Sequence, residues 1–124
     1  MAEKPRNPLE HFPPDASSVR QARLHVQKLA GVDVGHAAAL CVSELATNAV
    51  LHARTEFSVN VTVRGSVIRV EVDDHAPGLP TSSSHGLLTI DGRGLQIVEG
   101  LSDNWGVEPR NDGKCVWFEM PAER

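Results

Sequence analysis

The sequence predicts an α+β fold, a two-layer sandwich in which helices cover one face of a mixed, mostly antiparallel sheet. Two patterns predict this fold class. Apolar residues recur at helical spacing before residue 53, and from residue 57 onward they alternate with polar residues in two neighbouring segments. A further helical segment and a last pair of strands follow, so the order is α, α, β, β, loop, α, β, β.

Length and composition are those of one ordinary globular domain, with 124 residues of which 40% are hydrophobic and 23% charged. Residues 1–14 contain four prolines and are predicted to form an N-terminal arm, in which residues 9–12 could form a short strand; residues 15–124 are predicted to form a single domain. The formal charge is -4 with scattered basic residues, which argues against direct nucleic-acid binding. No signal peptide or membrane span is recognisable, and we expect a cytoplasmic protein.

The two helices of the first half are predicted from spacing. Asp15 offers helix-start chemistry, and the apolar positions at helical spacing that follow it, before Gly31, are Val19, Ala22, Val26 and Leu29. Residues 35–53 form a second periodic segment that is apolar on nearly every side, which indicates a buried helix.

The strands are predicted from alternation. Apolar residues occupy every second position in residues 57–63 and again in residues 68–72, with Gly65 and Ser66 between the two segments. Residues 75–91 form a long loop rich in Pro, Gly, Ser and Thr. A short helix is predicted over residues 95–101, followed by strands near 105–109 and 114–120 that are joined by a turn at 111–113.

The cysteines and histidines do not suggest a metal or redox site. Cys41 and Cys115 lie in apolar sequence surroundings without CxxC spacing and are interpreted as reduced core residues. The six histidines lack the paired spacing of metal ligands, so no zinc site is predicted. His52 is expected to make a structural hydrogen bond.

Three polar residues form a stripe on the second helix. Glu44, Asn48 and His52 are spaced four residues apart, so each is displaced by only about 40° from the one before it. The stripe contains no Lys, Arg or Gln, which is unusual for a helix face that merely contacts water. An amide oxygen suits Mg²⁺ held by phosphates, and a carboxylate one turn away can accept a proton; a solvated helix edge is the alternative.

Two further segments carry candidate binding residues. Asp74 continues the inward row of its strand and is either a turn aspartate or a buried acceptor for an exocyclic amine such as that of adenine. The segment Gly92, Arg93, Gly94 and Leu95 opens a helix, where free N–H groups favour an anion.

Together these three segments resemble the N, G1 and G2 boxes of the histidine-kinase-type (GHKL, or Bergerat) ATPase superfamily. The boxes are represented by residues 43–53, by 74–78 and by 92–95, in the family's order and spacing. The closest resemblance is to small actinobacterial anti-sigma factors with serine-protein kinase activity, and it extends over about residues 19–120.

The resemblance implies a role for each matching residue. Asn48 would bind Mg²⁺, Glu44 would orient and deprotonate the attacking hydroxyl, and Asp74 would bind the adenine amino group of ATP. The remaining nucleotide-binding positions would be Ala76, Gly78, Gly92, Arg93, Gly94 and Leu95, with residues 80–91 as a short lid. The implied partners are an anti-sigma antagonist of the STAS type and a sigma factor, and the family often forms homodimers.

The sequence departs from the family pattern at one position. Ala76 stands where the family has the first glycine of the G1 box, and alanine at a positive φ would weaken nucleotide affinity about fivefold. Two functions therefore remain open: an ATP-dependent serine-protein kinase, and a non-catalytic module, with or without nucleotide, that sequesters a partner.

Overall fold

The computed structural model describes residues 9–30, 32–75 and 93–121, and the side chains of residues 32–35, 52 and 93–95 are not part of that description. The helical elements are α1 (Ser17–Ala30), α2 (Val32–Asn48), a π-helical turn (Ala49–Ala53) and α3 (Arg93–Leu101). The strands are β1 (Leu9–Phe12), β2 (Phe57–Arg64), β3 (Val67–Asp74), β4 (Asn104–Arg110) and β5 (Gly113–Pro121). Each predicted helix and strand is present, with bounds shifted by a few residues.

The five strands form one sheet in the order β1-β2-β3-β5-β4. All four strand pairings among the described residues are antiparallel, so the sheet is more regular than the mixed one predicted. The short strand β1 pairs along its whole length with β2 at one edge, where Phe12 lies opposite Phe57. The predicted α+β class is confirmed.

The core lies between the helices and one face of the sheet. Along β3, the inward residues Ile68, Val70 and Val72 are buried and alternate with half-buried residues, as the period of two requires. Strand β5 adds Val116 and Phe118 from the same face. Buried residues of α1, α2 and α3 complete this single cluster from the other side.

Side-chain hydrogen bonds stabilise the start of α1, where the sequence predicted a helix start. Asp15 Oδ1 accepts a hydrogen bond from the Ser17 N–H at 3.1 Å, and the Ser18 hydroxyl donates to the Pro13 carbonyl at 2.7 Å. These contacts satisfy groups that the first helical turn cannot pair internally. The buried His25 of α1 lies 3.3 Å from Glu10 and so ties α1 to β1.

The opposite face of the sheet is polar. Arg69 donates to Glu71 at 2.9 Å and to Glu119 at 3.0 Å, and its guanidinium lies 4.3 Å from the centre of the Trp117 ring. The Trp117 ring covers Gly106, where an added Cβ would lie 2.8 Å from the indole nitrogen. This face therefore carries a charged network, away from the side on which α2 packs.

Both cysteines are buried and free, although their surroundings differ. Burial raises the pKa of the Cys41 thiol to about 12, and the charge of Glu44 acts in the same direction. Burial also raises the pKa of the Cys115 thiol to about 12, with Asp73 adding to the rise and Arg110 opposing it. Both cysteines are thus buried and free as expected, although Cys115 has the charged neighbours Asp73 and Arg110.

Candidate functional site

Asn48 is a buried polar residue at the end of α2, with 5% of its surface exposed. Both the oxygen and the nitrogen of its side-chain amide are buried, and neither has a hydrogen-bond partner among the described residues. By contrast, the hydroxyls of Ser43 and Thr47 on the same helix donate to the carbonyls of Ala39 and Ser43 at 2.8 and 2.7 Å. The amide of Asn48 is therefore a hydrogen-bonding group that the described fold does not satisfy.

The helix changes geometry immediately after Asn48. Residues Ala49–Ala53 form a π-helical turn, in which the Arg54 N–H donates to the Ala49 carbonyl at 2.7 Å. Arg54 has a φ of 57°, in the left-handed region, and ends the helix there. Single π-helical turns of this kind frequently occur at functional sites.

The polar stripe that the sequence predicted extends from α2 into this turn. The spacing of four residues holds from Glu44 to Asn48, which both lie in α2. His52 lies beyond α2, in the π-helical turn. The side chain of His52, with its expected hydrogen bond, lies outside the description.

Glu44 lies one helical turn before Asn48 and is half-buried. Residues four apart on an α-helix lie on the same face, so the carboxylate and the amide are neighbours. The position one turn earlier on this face is occupied by hydrophobic Leu40, which is 46% exposed. A carboxylate beside an unsatisfied amide can accept a proton from a group that the amide helps to position.

Asp74 ends β3 on the inward face, as the alternation predicted, and is 8% exposed. Lys114 is its partner across β3 and β5, and the Lys114 Nζ lies 2.6 Å from the Asp74 Oδ2. Only 12% of the Lys114 side chain is exposed. The carboxylate therefore belongs to a largely buried ion pair, which the sequence analysis did not predict.

The sequence does contain a signal for Lys114. Its position has the same parity as Val116, Phe118 and Met120 of β5, which all face the core. Lys114 therefore begins the inward-facing row of β5, and Asp74 ends the inward-facing row of β3. Only the strand register shows that the two rows meet at this end of the sheet.

A short contact joins the ends of the two segments that carry Asn48 and Asp74. The His75 N–H donates to the Thr55 hydroxyl at 3.0 Å. Thr55 follows the π-helical turn after Asn48, and His75 directly follows Asp74. The unsatisfied amide and the buried carboxylate therefore lie on segments that meet at one end of the molecule.

Gly113 of β5 lies directly against the backbone of Asp74. It is buried at the start of β5, and an added Cβ would overlap the Asp74 carbonyl oxygen. We expect Gly113→Ala to lower the free energy of unfolding by about 1–3 kcal/mol, because the backbone must shift to make room. Urea unfolding followed by circular dichroism measures this change.

Gly100 provides the matched control for this substitution. It lies on the exposed side of α3, and nothing lies within 4 Å of an added Cβ. Gly100→Ala is expected to leave stability unchanged or raise it by up to about 1 kcal/mol, because alanine is the better helix former. Equal stabilities for Gly113→Ala and the wild type would show that the contact with Asp74 is not restrictive.

The remaining predicted site residues belong to two other segments. Arg93, Gly94 and Leu95 form the first turn of α3, so the predicted helix start is present. Helix α3 packs against α2 and buries Val98 in the common core. Ala76, Gly78, Gly92 and the expected lid at residues 80–91 lie outside the described residues.

The described residues contain neither a metal-binding cluster nor a membrane-spanning helix. No group of three His, Cys, Asp or Glu side chains there is arranged to hold a metal ion. No helix there is both long enough and apolar enough to cross a membrane.

A comparison with protein families decides the identity of the domain. Residues 12–120 match the histidine kinase-like ATPase domain. The chain belongs to the histidine kinase-like ATPase family. The resemblance found in the sequence is confirmed at this level, and the match includes both the helical segment with Asn48 and the strand that ends at Asp74.

Solved structures share the fold of this histidine kinase-like ATPase domain. The RsbU and RsbW domains of Rv1364c from Mycobacterium tuberculosis have a TM-score of 0.64 and 18% identity, over 92% of this chain and 32% of that one. The histidine kinase domain of the blue-light activated histidine kinase EL346 from Erythrobacter litoralis has a TM-score of 0.55 and 21% identity, over 90% of this chain and 62% of that one.

The chain thus spans less than two thirds of each of these two solved chains. No curated protein matches the sequence. At these identities the likeness establishes the fold, and the activity of this ATPase domain must be argued from its own residues.

Proposed function

We propose that this histidine kinase-like ATPase domain binds ATP where α2 and β3 end and transfers the terminal phosphoryl group to a serine of a partner protein. The observation that carries the proposal is the buried amide of Asn48, whose oxygen and nitrogen have no partner in the described fold. Leaving such groups unsatisfied costs about 1–3 kcal/mol. A residue kept at that cost is best explained by a ligand that satisfies it.

The chemistry of Asn48 fits a magnesium ion bound to phosphates. Its amide oxygen is a hard, neutral ligand, of the kind that Mg²⁺ accepts when phosphates and water supply the remaining ligands. Such an ion neutralises the charge that develops on the phosphoryl group during transfer. In this proposal Asn48 holds the ion, and its burial keeps the amide in one orientation.

Glu44 is proposed to orient and deprotonate the attacking serine hydroxyl. It is half-buried and lies one turn before Asn48 on the same face of α2. That placement supports the role, since a general base must lie within hydrogen-bond reach of the hydroxyl when the phosphates are bound nearby.

Asp74 is proposed to accept a hydrogen bond from the adenine amino group. Its carboxylate is 8% exposed and is held on the inward face at the end of β3. A carboxylate can accept up to about four hydrogen bonds, which allows a ligand to bind it beside the ion pair with Lys114. The backbone of Arg93, Gly94 and Leu95, with Gly92, Ala76 and Gly78, would contact the nucleotide.

The regulatory part of the proposal concerns partners. The resemblance implies that the phosphorylated protein is a STAS-type anti-sigma antagonist, which in its unphosphorylated form competes with a sigma factor for this domain. The mycobacterial neighbour is described by its RsbU and RsbW domains, a statement about that protein alone. The same resemblance includes a homodimer among the expected assemblies.

Isothermal titration with ATP, with and without Mg²⁺, tests the proposal first. We expect ATP binding that requires Mg²⁺, followed by transfer of radiolabelled phosphate from ATP to a serine of the antagonist. No heat of binding with folded protein would contradict nucleotide binding. Binding without transfer to any cognate antagonist would favour the non-catalytic module that Ala76 motivates.

A further inference from the structure

Lys114 is a largely buried cation that none of the roles above uses. Its ammonium group carries three hydrogen-bond donors, and the Asp74 Oδ2 takes one of them at 2.6 Å. Among the described residues, Asp74 is the acceptor that this ammonium group contacts. Two of its three donors therefore have no acceptor among the described residues, although only 12% of the side chain is exposed.

The ion pair presents two complementary groups side by side. Asp74 can only accept hydrogen bonds when ionised, and Lys114 can only donate them. Adenine has the reverse arrangement on one edge, where the 6-amino group donates and the neighbouring ring nitrogen N1 accepts. Guanine has the opposite order, with a 6-oxygen that accepts and an N1–H that donates.

We propose that Lys114 is a base-reading residue, which donates to adenine N1 while Asp74 accepts from the 6-amino group. This inference rests on the proposed function, since it assumes that ATP binds at Asp74. A guanine in the same pose would place its 6-oxygen against the carboxylate and its N1–H against the ammonium group. In that pose the pair favours adenine over guanine through both of its members.

The alternative is that Lys114 competes with the nucleotide for Asp74. A competing nucleotide would have to break the ion pair and leave a buried ammonium group without its partner. Breaking a buried ion pair costs far more than a single hydrogen bond returns. A base that binds both members keeps the pair intact, so joint reading of the base is favoured.

The test compares ATP with 1-deaza-ATP, which has a C–H group in place of N1. The full chain is titrated with each nucleotide as wild type and as Lys114→Met. Wild type is expected to bind 1-deaza-ATP about tenfold more weakly than ATP, the loss of one hydrogen bond to a charged donor. Lys114→Met is expected to bind ATP about tenfold more weakly than wild type does, and to bind both nucleotides equally.

Three controls keep the test decisive. Lys28→Met removes an exposed lysine from the last turn of α1 and is expected to bind both nucleotides as wild type does. Lys114→Gln retains a donor and is expected to keep part of the preference for ATP over 1-deaza-ATP. If Lys114→Met fails to fold, Lys114→Gln and the wild-type comparison still decide the result.

Each contrary result has a distinct meaning. Tighter ATP binding by Lys114→Met would identify Lys114 as a competitor and overturn the inference. A preference for ATP over 1-deaza-ATP that persists in Lys114→Met would assign N1 to another group and also overturn it. Wild type that binds ATP and 1-deaza-ATP equally contradicts the inference alone, whereas wild type that binds neither contradicts the proposed function as well.

Discussion

Glu44→Gln is expected to slow phosphoryl transfer by about 10²–10⁴-fold while ATP affinity changes by less than about twofold. Glutamine keeps the size of the side chain and one of its acceptors, so the surroundings of α2 stay filled. It cannot take a proton from the serine hydroxyl, because an amide has no basic carboxylate. Single-turnover transfer of radiolabelled phosphate to the antagonist measures the rate, and isothermal titration measures the affinity.

Glu99→Gln is the matched control for this substitution. Glu99 is an exposed carboxylate on α3, outside the proposed site, and its loss is expected to leave both quantities unchanged. Transfer by Glu44→Gln at the wild-type rate would show that Glu44 is not the base. A loss of ATP affinity equal to the loss of rate would indicate that Glu44 acts in binding instead.

Asn48→Ala is expected to abolish Mg²⁺-dependent ATP binding and, at the same time, to stabilise the nucleotide-free protein. The substitution removes two buried groups that lack hydrogen bonds, which is worth about 1–3 kcal/mol in the free energy of unfolding. Alanine is also the better helix former at the end of α2. Urea unfolding without nucleotide measures the first effect, and titration with Mg²⁺ and ATP measures the second.

A gain in stability coupled to a loss of function distinguishes a functional residue from a structural one. Asn60→Ala is the control, because Asn60 lies half-buried in β2, on the opposite face of the sheet. It is expected to retain ATP binding. Destabilisation of Asn48→Ala with normal ATP binding would mean that the amide supports the fold and binds no ligand.

The sequence predicts the fold because its patterns are local. The alternation in residues 68–74 places Asp74 on the inward face, and the structure confirms that position. The spacing between Glu44 and Asn48 likewise predicts a shared helix face, and both lie in α2. In each case one repeat period determines which way a side chain points.

Two features of the site escape this kind of reasoning. The π-helical turn after Asn48 has no signature in its apolar residues, which fit an α-helix equally well. The pairing of Asp74 with Lys114 depends on the register between β3 and β5. Register is a property of two distant segments and is not contained in the pattern of either one.

The strand order also sets how much of the chain must close before each part of the site can form. Glu44 and Asn48 lie in one helix, and β2 meets β3 across a two-residue turn, so local contacts suffice for both. Asp74 and Lys114 are 40 residues apart in the chain, and this long segment must close before they meet. A chain folded only as far as β3 has the polar groups of α2 but no complete carboxylate and ammonium pair. A ligand that needs all of them stabilises the finished sheet alone, and so it reports that folding is complete without guiding its early steps.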